Sequence, residues 1–123
     1  MSLMVCIIAK DKDYSVHELE KEIPYPHNGL FGFENWRYLV WGHKIVKELG
    51  CELVYSLKET MVYAFDEEVL QLKNELQKLL DNIETFAEVA NNDKSSIEFR
   101  IKNALEMIKI AEKNLDKVGV AIL

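Results

Sequence analysis

The chain has 123 residues, 49% hydrophobic and 29% charged, the balance of a folded globular protein rather than a disordered one. Its formal charge of −6 leaves no basic stripe to displace counterions from nucleic acid, so that class of partner is not expected. Surface scaling gives about 6,800 Å² accessible when folded against about 20,700 Å² extended, enough burial for a single domain over residues 1–123 without staples.

Leu3 to Ala9 is a short, continuous apolar run that suits a buried strand. Lys10 and Asp11 cut it too short for a secretion signal, and no stretch approaches a membrane span. Met1-Ser2-Leu3, ahead of a second methionine, has the form of an expression leader, which places the expected natural start at Met4. Cys6 and Cys51 make no disulfide framework and read as buried thiols of a reducing compartment, so the expected location is the cytoplasm.

Ser15 to Ile23 fits a short helix, with Ser15 and Glu18 placed as a capping box. Pro24 and Pro26 stop it and force an extended stretch that turns at Asn28-Gly29. A second helix is expected from Glu34 to Leu49, closed by Gly50 in a left-handed cap. Its apolar side collects Trp36, Leu39, Val40, Val46 and Leu49. Its opposite side carries Arg37, Trp41, Lys44 and Glu48. His43 falls near the apolar side, where a hydrogen-bonded core histidine is the usual reading. Residues 52–57 and 61–65 alternate like two short strands, although a helical turn also fits the first.

Two heptad runs follow. The first is Val69, Leu72, Leu76, Leu79, Ile83, Phe86 and Ala90. The second is Ile97, Ile101, Ala104, Ile108, Ala111, Leu115 and Val118. The polar break over residues 91–96 lets them fold back as an antiparallel, coiled-coil-like hairpin over residues 66–118, each arm about 33 Å long. Asp66 and Ser95 are the expected N-caps, the second paired with Glu98. Phe99 and Ile110 lie off the stripe and define a second apolar face, for the Glu34–Leu49 helix or for a second subunit. Residues 118–123 are apolar throughout and would be a liability if free, so they are expected to pair with the first strand. The fold class that results is α+β, mainly helical: a helical hairpin and a shorter helix packed on a small sheet formed by the two terminal strands.

Chemistry is poorly represented. His17-Glu18-Leu19-Glu20-Lys21 opens like a zinc-protease helix but carries Lys21 where the second histidine belongs. There is no nucleophile elbow, and Gly29-Leu30-Phe31-Gly32 lacks the lysine of a phosphate loop. No catalysis, metal or cofactor is expected. The segment 25–43 is instead dense in aromatic rings and holds both tryptophans. Such residues carry protein interfaces because they bury much area at low entropy cost. Tyr25, His27, Phe31, Phe33, Arg37 and Trp41 are the candidate contact residues, with Arg37 and Trp41 expected to stack on the exposed side of their helix. Acidity points to a more basic protein partner, as for an inhibitor or an immunity-type antidote. Two alternatives stand beside this reading. One is a homo-oligomer, a homodimer for instance, completing a four-helix bundle through Phe99 and Ile110. The other is a small-molecule or enzymatic pocket beneath segment 25–43.

Overall fold

The computed structural model describes residues 2–123. Four antiparallel strands form the sheet: β1 (Ser2–Ala9), β2 (Leu30–Phe33), β3 (Val62–Ala64) and β4 (Val118–Ile122), in the order β2-β1-β4-β3. The two apolar ends of the chain pair at its centre, with Val5 opposite Ile122 and Ala9 opposite Val118. This gives every β4 side chain a covered environment and removes the exposed greasy tail. Leu3 is fully buried in β1, as the apolar run from Leu3 to Ala9 predicts. The fold is α+β and mainly helical, with an accessible surface of 6818 Å² that matches the scaling value. Among the described residues, no helix is long and apolar enough to cross a membrane.

Three longer helices pack on one side: α4 (Glu67–Asp81), α5 (Ile83–Ala90) and α6 (Lys94–Glu112). The heptad positions Val69, Leu72, Leu76, Leu79, Phe86, Ile97, Ile101, Ala104, Ile108 and Ala111 are all buried, so the hairpin forms through its expected seam. Its first arm is two helices rather than one. At Asn82 the backbone leaves helical angles, and the side-chain amide donates to Lys78 O at 2.8 Å, the local competition that asparagine offers a helix. The second arm ends at Glu112. Leu115 lies in the following turn and Val118 already belongs to β4, because strand pairing takes over the last positions of the heptad.

Of the two expected N-caps, Asp66 holds the N-cap position of α4 without a side-chain cap bond, and Ser95 is corrected. Asp66 pairs with Lys10 at 2.6 Å. Asp93, not Ser95, caps α6. The hydroxyls of Ser95 and Ser96 and the Ser96 amide all donate to its carboxylate, holding its pKa below the ordinary aspartate value. The second apolar face expected at Phe99 and Ile110 is covered within the chain, by the sheet and the segment before β2 rather than by the Glu34–Leu49 stretch or a second subunit. Helix α6 turns a second face to β1, β2 and β4, where Ile110 is buried. Phe99 is covered by the His27 ring at 5.3 Å and by the Arg100 guanidinium at 5.7 Å. A helix lodged between a partner helix and a sheet needs two apolar faces, and this pair serves the second.

Short elements complete the chain. The first helix, α1, is only His17–Glu20, without a side-chain cap. Residues 52–58 are helical, as α3 (Glu52–Tyr55) and a tighter turn (Ser56–Lys58), so residues 52–65 form no hairpin. The α3 N-terminus is capped from a distance. Glu75 of α4 is buried and accepts from Leu53 N at 3.2 Å, Val54 N at 3.0 Å and Gln71 at 2.9 Å. A helix start satisfied by another element's carboxylate leaves no local cap in the sequence.

Candidate interaction surface

The Glu34–Leu49 segment departs most from its sequence reading, and the departure decides which residues meet solvent. Arg37–Trp41 is a π-helical turn, the chain breaks at Gly42-His43, and α2 resumes over Lys44–Glu48. At 3.6 residues per turn, Trp36 and Trp41 would stand about 140° apart around a helix. A turn closed five residues on brings them to the same side. Trp41 is fully buried. It stacks on Phe31 at 4.2 Å, meets Trp36 at 5.8 Å and Phe86 at 6.1 Å, and donates its indole N–H to Phe31 O at 3.0 Å.

Two glycines permit this packing. A Cβ at Gly32 would stand 2.3 Å from the Trp36 ring, where the backbone also has φ +105°. A Cβ at Gly42 would lie 2.2 Å from Arg37 O and 2.7 Å from Lys58 Cβ. His43 then restarts the helix. Its Nδ1 accepts from Ile45 N at 3.2 Å, making it a cap and not a core residue. Gly50 adopts the expected left-handed angle, φ +82°.

The expected Arg37–Trp41 platform therefore does not exist. Arg37 is only 14% exposed at its side chain and turns the other way. It bonds Glu34 at 2.6 Å, and Leu57 O and Thr60 O at 3.2 Å each. That clamp ties the π turn to the loop before β3. Of the other candidates, Phe31 is buried beneath Trp41 and is no contact residue. Tyr25 is 96% exposed, and His27 is half-buried at the edge of α6. Phe33 is exposed, with its edge against Trp36 at 6.1 Å.

The turn exposes Tyr38 and also Leu39, which the helical reading turns inward, beside exposed residues of β2 and of the segment 61–63. Phe33, Tyr38, Leu39, Met61 and Tyr63 are each between 48% and 58% exposed. Tyr38 and Leu39 lie between the two buried tryptophans in sequence but are themselves half-exposed. Met61, just before β3, and Tyr63 within it alternate with buried Val62 and Ala64. Two shallow depressions flank the turn. One of about 520 Å³ is lined by Arg37, Tyr38, Lys58, Met61 and Tyr63, and another of about 440 Å³ by Phe33, Trp36 and Leu39. Charges around them are balanced, Glu34 against Arg37 and Lys58 beside Glu59. The one sequence signal for this arrangement is the five-residue spacing of two tryptophans followed directly by glycine.

Thiol chemistry is not supported. Burial, then the Glu75 charge, pushes the Cys51 thiol up to about 11, against a smaller opposing effect of Lys78. Cys6 is raised by burial and by nearby Glu20. Among the described residues, no three His, Cys, Asp or Glu side chains stand close enough to hold a metal ion. Comparison of the chain with protein-family models, with curated proteins and with solved structures finds no match in any of the three.

Proposed function

We propose that this chain is a protein-binding module of the cytoplasm, and that its contact surface is the apolar rim around the π turn rather than the Arg37–Trp41 pair. The observation that carries the reading is half-exposed Tyr38 and Leu39 on a turn whose Trp36 and Trp41 are packed in an aromatic base, with Phe33 beside Leu39 in one depression and Met61 and Tyr63 beside Tyr38 in the other. Folded monomers rarely expose a contiguous apolar surface without a use for it. A rigid base limits the entropy lost on binding, and π turns recur at functional positions.

The local charges cancel, so affinity comes from apolar burial. The net charge of −6 acts at longer range, favouring encounter with a more basic protein and losing effect as salt rises. Free thiols without a disulfide support a reducing compartment.

The test compares the native chain with a Tyr38→Ser, Leu39→Ser double variant as baits in host extract over a salt series. Stoichiometric capture of a basic protein by the native chain and its loss in the double variant are expected. Equal capture by both baits would overturn the surface, and a partner of acidic charge would overturn the electrostatic part.

A further inference from the structure

A second site lies away from this surface, in the groove between α4 and α6. The groove encloses about 330 Å³, within the range of small-molecule sites. Half-buried Leu80 and Leu105 supply its apolar lining. Three lysines against two glutamates give it a small positive excess on a chain of charge −6. By contrast, the depression at the turn into α6 is lined by Glu84, Glu88 and Asp93 against Lys94 alone.

The lysines are arranged by the antiparallel hairpin. Lys73 pairs with Glu112 at 2.9 Å, beside the last turn of α6, and Lys109 with Glu106 at 3.2 Å, one turn back from Lys109 along the helix. Each ammonium has three donors: Lys109 gives one to Glu106, and Lys73, which lies at 2.9 and 3.2 Å from the two Glu112 oxygens, keeps at least one. Lys102, paired with Glu98 at 2.9 Å, stands two turns away, about 10.5 Å along the helix from Lys109.

His27 lines the other end, and its tautomer follows from Asn103. The Asn103 amide is fully buried and bonded at both ends. Its Nδ2 donates to Leu30 O at 2.9 Å and to Asn28 Oδ1 at 3.1 Å, while its Oδ1 accepts from Asn28 N at 3.2 Å. Because Leu30 O can only accept and Asn28 N can only donate, the amide orientation is fixed. His27 Nδ1, 2.9 Å from Oδ1, must therefore carry a hydrogen. In the neutral imidazole Nε2 is then the lone-pair nitrogen. It has no protein partner and is not among the buried unpartnered atoms, so solvent reaches it. Stacking on Phe99 fixes the ring plane. The clamp explains the ring's position but gives its outer nitrogen no work.

From these three features, we propose that the groove binds a small organic acid with an apolar body and a hydroxyl or N–H at the end opposite its carboxylate. The donor end meets His27 Nε2, the body lies over Leu80 and Leu105, and the carboxylate takes the unused donors of Lys73 and Lys109.

The experiment follows backbone amide shifts of the full chain titrated with three probes: 4-hydroxyphenylacetate, phenylacetate and inorganic phosphate. Saturable shifts at Leu80 and Leu105 are expected with 4-hydroxyphenylacetate in the millimolar range usual for so small a ligand. Phenylacetate, which lacks the donor, binds about two- to tenfold more weakly, and phosphate leaves the groove residues unmoved. His27→Phe keeps the stack on Phe99 and abolishes the difference between the two aryl acids, while Lys109→Glu weakens both. The same spectra report whether each variant is folded. Shifts absent from the groove, discrimination that persists in His27→Phe, or phosphate binding as well as the aryl acids would each overturn the proposal.

Discussion

Helix α6 and the stretch from Glu34 to Leu49 both present apolar residues at helical spacing, and only α6 is a regular helix. In α6 the buried positions are Ile, Ala, Met and Asn, side chains of modest size that interdigitate against α4 and the sheet at one turn after another. In the other stretch two tryptophans must reach the same aromatic core beside Phe31 and Phe86. No regular helix puts residues five apart on one face, so the backbone widens locally instead. The difference teaches that spacing alone predicts burial where side chains are interchangeable in size. Where one ring is worth several methylene groups of buried area, the backbone follows the ring.

The largest expected effect breaks or keeps this comparison directly. Trp41→Ala should cost about 3–5 kcal/mol in urea unfolding, as large as Trp36→Ala, because it removes a buried ring and its bond to Phe31 O. A loss below about 1 kcal/mol would return Trp41 to the surface and restore a regular helix through Glu34–Leu49.

Next in size is Asn103, the polar residue in the midst of the second face of α6. Asn103→Leu should cost about 1–3 kcal/mol, since Asn28 N and Leu30 O lose their partner near the sheet edge. Amide exchange should rise first in residues 27–30. Unchanged exchange there would mean that the loop is held by β2 pairing alone.

Much of the scaffold was legible for a physical reason. Heptad seams and apolar termini are local patterns whose burial requirement has few solutions, so the hairpin and the central β1–β4 pairing follow from them. What was not legible depends on distant groups. Glu75 reads as one of many helix-surface acids until α3 is placed against it. Residues 52–57 alternate like a strand, yet the carboxylate waiting at their amides makes a helix start cheap. Within segment 25–43 the buried and exposed faces are exchanged relative to the helical reading, because the π turn rotates them. Tyr25, His27 and Phe33 are accessible, Phe31 and Trp41 are core, and Tyr38, Leu39, Met61 and Tyr63 were not singled out.

A smaller effect comes from Cys51, whose thiol donates to Glu75 O beside that same distant cap. Its pKa is raised from 9.0 to about 11 in the folded chain. The folded state therefore holds a proton that the unfolded state releases first, and stability falls as pH rises from 9.0 toward about 11. Below that window the contribution is complete. Cys51→Val should flatten this part of the stability–pH curve in thermal melts, and alkylation of Cys51 at neutral pH should be slower than that of a free thiol. Identical slopes for the two proteins would remove the buried-thiol assignment.

The smallest effect on stability belongs to the outward residues of the π turn, and it sharpens the comparison most. Tyr38 and Leu39 sit between Trp36 and Trp41 in sequence, share their backbone turn, and face the opposite way. Tyr38→Ala and Leu39→Ala should each change unfolding free energy by no more than about 0.5 kcal/mol, the range of substitutions that break no buried contact. If the exposed rim is the contact surface, each should weaken partner binding by more than about 1 kcal/mol, mainly through faster dissociation. Four consecutive positions would then divide cleanly, with stability lost at Trp41 and binding lost at Tyr38 and Leu39. A Leu39→Ala variant as unstable as Trp41→Ala would instead mean that the turn packs on both sides, and it would leave the proposed surface without its centre.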